Sequence, residues 1–126
     1  YDVKLIDEVT RARNPQVLAG AIRAIRYGLQ FGDMATNDAQ PFITRAITDR
    51  DMRVRLEAVM ACAFLDSPKA VQLANLVTTQ DMDGPIRNAH AQTIKVLKSK
   101  GFESTAGIIE FYNADADKLA ELTKKK

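Results

Sequence analysis

Cysteine, histidine and tryptophan are nearly absent from this chain. It contains one cysteine, one histidine and no tryptophan among 126 residues. A single cysteine excludes an internal disulfide and a thiolate metal cluster. A Ser-His-Asp or Cys-His site would have to use the one histidine, His90, without the partners that such a site requires. We therefore expect no cofactor, no metal and no catalytic residue in this chain.

Charge and hydropathy exclude further classes. The formal net charge is only +2, so no strong positive field of the kind that drives nucleic-acid binding is expected. No apolar run is long enough to cross a bilayer, and no signal peptide is visible. The chain opens abruptly at Tyr1 and ends on three lysines, which we interpret as a single domain cut from a larger protein. Its hydrophobic content of 46% is enough for a core.

Helical periodicity runs through the whole sequence, whereas signals for strands and hairpins are weak. Asp38 is expected to cap the third helix, and Gly32 and Gly101 to end the second and sixth. The pattern predicts helices over residues 4–13, 15–31, 39–48, 52–65, 69–79 and 84–100, with short ones over 104–111 and 115–122.

Three of these helices begin in nearly the same way. Asn14, Asp51 and Asp83 are expected N-caps, spaced by 37 and 32 residues. Three residues after each cap comes a large aliphatic side chain, and offsets of three, seven, ten and eleven trace one apolar stripe. The aligned residues are Val17, Val54 and Ile86, then Ala21, Ala58 and His90, then Ala24, Ala61 and Thr93, then Ile25, Cys62 and Ile94. A repeat of this length predicts an α-solenoid, in which each helix pair buries its stripe against the next pair.

The run Asp-x-x-Val-Arg-x-x-Ala at residues 51–58 resembles the HEAT repeat. The resemblance implies an all-α fold, a short right-handed α-α superhelix of about three HEAT-like helix pairs plus C-terminal capping helices. The approximate repeats would be 1–32, 33–66 and 67–101, with a cap over 102–126. The implied role is a protein-binding or spacer scaffold.

A narrower resemblance covers about residues 54–122. The run VRLEAVMACAFLDSPKAVQLA (54–74), followed by MDGPIRNAHAQTIKVL (82–97), is similar to the HEAT region of exported bacterial membrane-bound dehydrogenase-like proteins. Those proteins join a β-propeller, HEAT repeats and a haem-binding Cys-x-x-Cys-His module. The chain itself has neither the propeller nor the haem motif. The resemblance therefore implies a non-enzymatic docking role beside catalytic neighbours, in a periplasmic or exported protein.

Several polar residues have a structural interpretation. His90 stands where other units have alanine, and we interpret it as structural. Cys62 lies on the apolar stripe and is expected to be a small buried hydrophobe. Arg55 and Arg87 each follow a buried aliphatic residue, and we expect them to reach aspartates in the turns, with Asp51 and Asp83 as available partners.

The surface expected to bind a partner lies on the second helix of each pair, which forms the concave side of HEAT arrays. It is a mixed strip of basic, apolar and aromatic groups, which suits protein or peptide docking. Its expected members are Arg23, Arg26, Tyr27, Met60, Phe64, Gln92 and Lys95. Two alternatives stay open. The aromatic rings of Tyr27 and Phe64 could simply pack on neighbouring helices, and the chain could be a HEAT-like enzyme or nucleic-acid-binding module, such as a DNA glycosylase or a lyase.

Overall fold

The regular structure of the chain is helical throughout the part that the computed structural model describes, residues 3–11 and 13–102. Six α-helices and one short 3₁₀ turn follow one another within these described residues. They are α1 (Val3–Arg11), α2 (Pro15–Gln30), α3 (Thr36–Ala46), α4 (Met52–Cys62), α5 (Lys69–Leu76) with the 3₁₀ turn Val77–Thr79, and α6 (Gly84–Ser99). None of these helices is long and apolar enough to cross a membrane.

The three expected N-caps are confirmed. The side chain of Asn14 accepts hydrogen bonds from the backbone N–H groups of Gln16 and Val17, at 2.9 and 3.3 Å. The Asp51 carboxylate accepts from Arg53 N and Val54 N, at 2.8 and 3.3 Å. Asp83 does the same for Ile86 N, at 2.9 Å. Each cap satisfies donors that the first helical turn would otherwise leave without a partner.

Glycines with positive φ follow two of these three helices. Gly32 has φ of 79° and Gly101 has φ of 88°, both in the left-handed region that side chains with a Cβ rarely adopt. The chain can therefore turn sharply after α2 and α6, as the sequence predicts.

The helices form two layers. The second-helix layer consists of α2, α4 and α6, with α4 packed between the other two. The first-helix layer consists of α1, α3 and α5, each packed against the second helix of its own pair. The arrangement confirms the all-α fold class and matches a HEAT-like stack of helix pairs.

Helix α4 lies at the centre of the core. Seven of its eleven residues are buried, including Val54, Ala58 and Cys62. Ala58 has no exposed surface, so the small side chain lets the neighbouring helices approach α4 closely.

The expected register of α2 is wrong by one residue. Val17 is 42% exposed, although its aligned partners Val54 and Ile86 are 1% and 0% exposed. The large aliphatic side chains of α2 that are buried or half-buried are instead Leu18, Ile22, Ile25 and Leu29. Each position in a helix turns by about 100°, so a shift of one residue rotates the stripe away from Val17 and Ala24. In the corrected register, Leu18 matches Val54 and Ile86, 36 and 68 residues later.

Some helix boundaries also differ from the prediction. Helix α3 begins at Thr36, with Ala35 at the N-cap, so Asp38 lies in the first turn and does not cap it. Helix α4 ends at Cys62, because the next three residues bond three positions back in 3₁₀ fashion. The helices expected over 104–111 and 115–122 lie outside the described residues.

Candidate functional site

A shallow groove runs between α4 and α6 on the second-helix layer. Its volume is about 300 Å³, and most of its lining is apolar. Met60 and Phe64 line the groove from the α4 side, and Gln92 and Val96 line it from α6. Arg26 of α2 contributes the charged group of the lining. The groove therefore combines an apolar floor with a guanidinium, as a docking site for a peptide side chain would.

A three-residue ion cluster next to this groove joins α2 to α4. The Glu57 carboxylate is buried, and its Oε1 accepts from Arg23 Nε at 3.1 Å and from Arg23 Nη2 at 2.9 Å. The second oxygen, Oε2, lies 3.6 Å from Arg26 Nη2. The Glu57 hydrogen bond and charge raise the pKa of Arg23 above its ordinary value. The cluster keeps the one carboxylate of the second-helix layer paired on the α2–α4 interface.

Arg26 is less fully satisfied than Arg23. Its side chain is 18% exposed, and its Nε has no hydrogen-bond partner among the described residues. The Glu57 Oε2 atom is likewise without a hydrogen bond there. The Arg26 guanidinium carbon also lies 5.0 Å from the centre of the Tyr27 ring, within range of a cation–π contact.

The structure brings four of the seven expected lining residues together. Arg26, Met60, Phe64 and Gln92 line the same groove. This placement bears on their geometry, and their role in binding a partner stays a prediction.

The other three expected lining residues lie elsewhere. Arg23 pairs with Glu57 across the α2–α4 interface and does not line the groove. The Tyr27 ring stacks on Phe31, with 6.4 Å between the ring centres, in a separate depression formed by the first helix pair. Lys95 is exposed on α6 but does not line the groove.

The groove also contains residues that the sequence interpretation did not select. They are Ala63, Asn88, Ala89, Thr93 and Val96. Val96 has the same offset from its cap as Phe64, so the repeat pattern could have predicted that Val96 lines the groove. Glu57 had no such signal, because a glutamate on an exposed helix face and a buried one look alike in sequence.

Arg55 acts as a clamp between two turns, which differs from the expected pairing with aspartate side chains. Its Nη1 donates to the carbonyl oxygens of Asp49 and Arg50, at 2.7 and 3.1 Å, and its Nη2 donates to that of Asp81, at 2.8 Å. The acceptors are therefore main-chain oxygens and not aspartate side chains. The contact with the turn of the next unit is as expected. Arg87, at the same position of the next unit, is exposed.

Cys62 and His90 both have structural surroundings. Burial raises the pKa of the Cys62 thiol to about 12, which keeps it protonated at neutral pH. His90 is half-buried, with Nε2 2.8 Å from Asn75 Oδ1, and burial lowers its pKa. No group of three or more potential metal ligands occurs within residues 3–11 and 13–102.

The two layers of stacked helix pairs define the class of this protein as an α-solenoid. The family model described as HEAT repeats matches residues 3–95, so the chain belongs to the HEAT-repeat family. No curated protein and no solved structure matches it.

Proposed function

We propose that the chain is a non-enzymatic scaffold that binds a protein segment in the α4–α6 groove. Membership of the HEAT-repeat family supports the scaffold role. The observation that carries the choice of surface is the groove itself, where Met60, Phe64 and Val96 supply apolar contacts beside the guanidinium of Arg26. Each helix pair in such a stack packs on its neighbours, so the chain would also act as a spacer between the parts of the protein on either side of it.

The charge of the second-helix layer indicates the kind of segment. Helices α2, α4 and α6 contain seven arginines and lysines but only one carboxylate, Glu57, which is buried. The seven are Arg23, Arg26, Arg53, Arg55, Arg87, Lys95 and Lys98. A partner segment that carries both apolar side chains and carboxylates would complement the groove and its surroundings.

Nucleic acid is the other polyanion that a basic layer could attract. The groove lining argues against it, because apolar side chains cover most of the floor and no row of exposed aromatic rings crosses it. The formal net charge of +2 also gives little long-range attraction for a polyanion.

A binding experiment tests the acidic-segment proposal. A fluorescent peptide of alternating aspartate and leucine is titrated with the chain, beside a lysine–leucine peptide and a single-stranded oligothymidine. We expect only the aspartate peptide to bind. Lys95→Glu should weaken that binding on the order of tenfold, about 1.4 kcal/mol, because it places repulsive charge beside the groove.

Arg50→Glu is the matched control for Lys95→Glu. It makes the same change of charge at an exposed turn residue away from the groove and should leave the affinity nearly unchanged. Equal affinities for the two variants would show that the groove is not the binding surface. Binding of the oligothymidine in place of the peptide would favour the nucleic-acid alternative.

We also propose that the chain is the HEAT-repeat part of a larger exported protein of the dehydrogenase-like type. The support is the resemblance of residues 54–122, and the chain would then act in the periplasm or outside the cell. The test is the sequence of the whole gene product. A propeller before this segment and a Cys-x-x-Cys-His module after it are expected, and their absence would overturn this context.

A further inference from the structure

Exposed apolar side chains are concentrated at one end of the stack. Seven large hydrophobic residues are exposed within the described part of the chain, and five of them precede residue 32. They are Val3, Leu5, Val17, Tyr27 and Phe31, with exposures of 43%, 57%, 42%, 46% and 69%. A terminal unit of a solenoid that faces water needs a polar outer face, and the first helix pair does not have one.

The repeat shows what covers the corresponding surface in the other units. On α6, Thr93 faces α4 and donates a hydrogen bond to the carbonyl oxygen of Val59, at 3.1 Å. On α4, Glu57 faces α2 and pairs with Arg23. In both cases, the second helix of the preceding pair covers this side of the helix.

The same side of α2 has no such helix against it in the described chain. Ile25 matches Thr93 in the corrected register, 68 residues earlier. Ile25 itself is 1% exposed, but it borders an open depression of about 700 Å³ that Tyr27, Gly28 and Phe31 also line, together with Leu5 and Ile6 of α1. Helix α2 covers this side of α4, and α4 covers this side of α6. The corresponding position beside α2 is an open apolar depression.

We infer that the α1–α2 end is an internal stacking face, on which a further helix pair of the same kind packs. Its second helix would lie in the depression beside α2 and cover the stacked rings of Tyr27 and Phe31. The inference concerns assembly along the stack and does not depend on the acidic partner proposed above.

The test compares the 126-residue chain with the natural gene product that contains it. Hydroxyl-radical footprinting, read out by mass spectrometry, reports the solvent exposure of individual aromatic side chains. We expect at least roughly fivefold slower labelling of Tyr27 and Phe31 in the gene product, since ordinary buried core residues are nearly inaccessible. Met52, which is 42% exposed at the start of α4 and lines neither the groove nor the depression, serves as the internal reference.

Each other result overturns the inference. Equal labelling of both rings in the two proteins would show that nothing packs on this end. Protection that appears in the 126-residue chain and rises with concentration would show that a second copy covers it. A gene product without a helix pair before Val3 would refute the inference before any labelling.

Two variants test the same packing by thermal unfolding, without chemical labelling. Phe31→Ser should leave the midpoint of thermal unfolding of the 126-residue chain nearly unchanged, because the ring is 69% exposed there. In the gene product the same change should lower the midpoint by several degrees, as loss of a buried ring does. Thr78→Ala, at an exposed position far along the chain, is the control in both. No midpoint change from Phe31→Ser in the gene product would contradict the inference.

Discussion

The clamp formed by Arg55 should be among the largest single contributions of a polar side chain to stability in this chain. The guanidinium is 3% exposed and donates to three main-chain carbonyl oxygens in two different turns. It therefore holds the turn before α4 against the turn before α6. Substitution by methionine keeps an unbranched side chain of similar length and removes all three donors.

The expected magnitude follows from those three bonds. Hydrogen bonds to a charged group contribute about 1.5–3 kcal/mol each. Two of the acceptors belong to Arg50 and Asp81, which lie in exposed turns, so water can replace the lost donor there. We therefore expect Arg55→Met to lower the free energy of unfolding by roughly 3 kcal/mol, well below the sum.

Urea unfolding, followed by the helical circular dichroism signal, measures this free energy. Arg87→Met is the matched control, because Arg87 holds the same position 32 residues later and is exposed. It should change the free energy by less than about 0.5 kcal/mol. Arg55→Lys should fall between the two, since one ammonium cannot reach both turns as the planar fork does.

The reasoning fails if Arg55→Met is no more destabilising than Arg87→Met. That result would mean that the carbonyl oxygens are equally well satisfied by water and that the guanidinium adds nothing to the packing of one unit on the next. A large effect of Arg55→Met with an equal effect of Arg55→Lys would instead show that the geometry of the fork, not the charge, is what matters.

Three further predictions concern other residues. Ile22→Ala should cost about 2–5 kcal/mol of stability and Val17→Ala less than about 0.5 kcal/mol, measured by urea unfolding, because only Ile22 is buried. Burial lowers the pKa of His90 below its ordinary value of 6.5, so the unfolded state binds its proton more readily. Stability should therefore fall as the pH drops below about 6.5, and His90→Gln should fall less over the same range. The Cys62 thiol should resist maleimide in the folded protein and react after unfolding, whereas Ser99→Cys, at an exposed position, should supply a thiol that reacts at once.

Each of these has a contrary outcome. Equal losses for Ile22→Ala and Val17→Ala would restore the register expected from the caps. The same decline of stability with pH in His90→Gln and in the parent would assign the decline to carboxylates elsewhere. Labelling of Cys62 at the rate of the Ser99→Cys thiol would show that the core of α4 opens readily.

The fold could be predicted from the sequence because its strongest signals are local. A cap such as Asp83 depends on a side chain and a backbone N–H three residues away, and the sequence shows both. Repetition of these caps with spacings of 37 and 32 residues predicts the helix-pair stack. The rotation of α2 about its own axis is not local, because it depends on which neighbours the helix packs against. Aligning Val17 with Val54 therefore gave the wrong face.

The candidate site was predictable to the extent that it follows helix geometry. Met60 and Gln92 have the same offset of nine from their caps, so their convergence follows from the repeat, whereas Phe64 lies in the turn just after α4. Arg23 and Tyr27 were assigned by the same offsets, but α2 is rotated. Arg23 pairs with Glu57 on another helix, and the Tyr27 ring stacks on Phe31, just after the end of α2. Neither contact follows from the offsets.

Burial of Glu57 links the fold to the proposed function. A buried carboxylate needs charged partners, and here α2 supplies both Arg23 and Arg26. Pairing withdraws the only carboxylate within α2, α4 and α6 from the surface, whereas Arg87, Lys95 and Lys98 are exposed on α6. Among the residues that the structure describes, the buried Nε atom of Arg26 has no hydrogen-bond partner, and the same guanidinium lines the groove. The ion cluster of Arg23, Arg26 and Glu57 therefore joins the first helix pair to the second and also positions the Arg26 guanidinium at the groove, where the proposed acidic segment would bind.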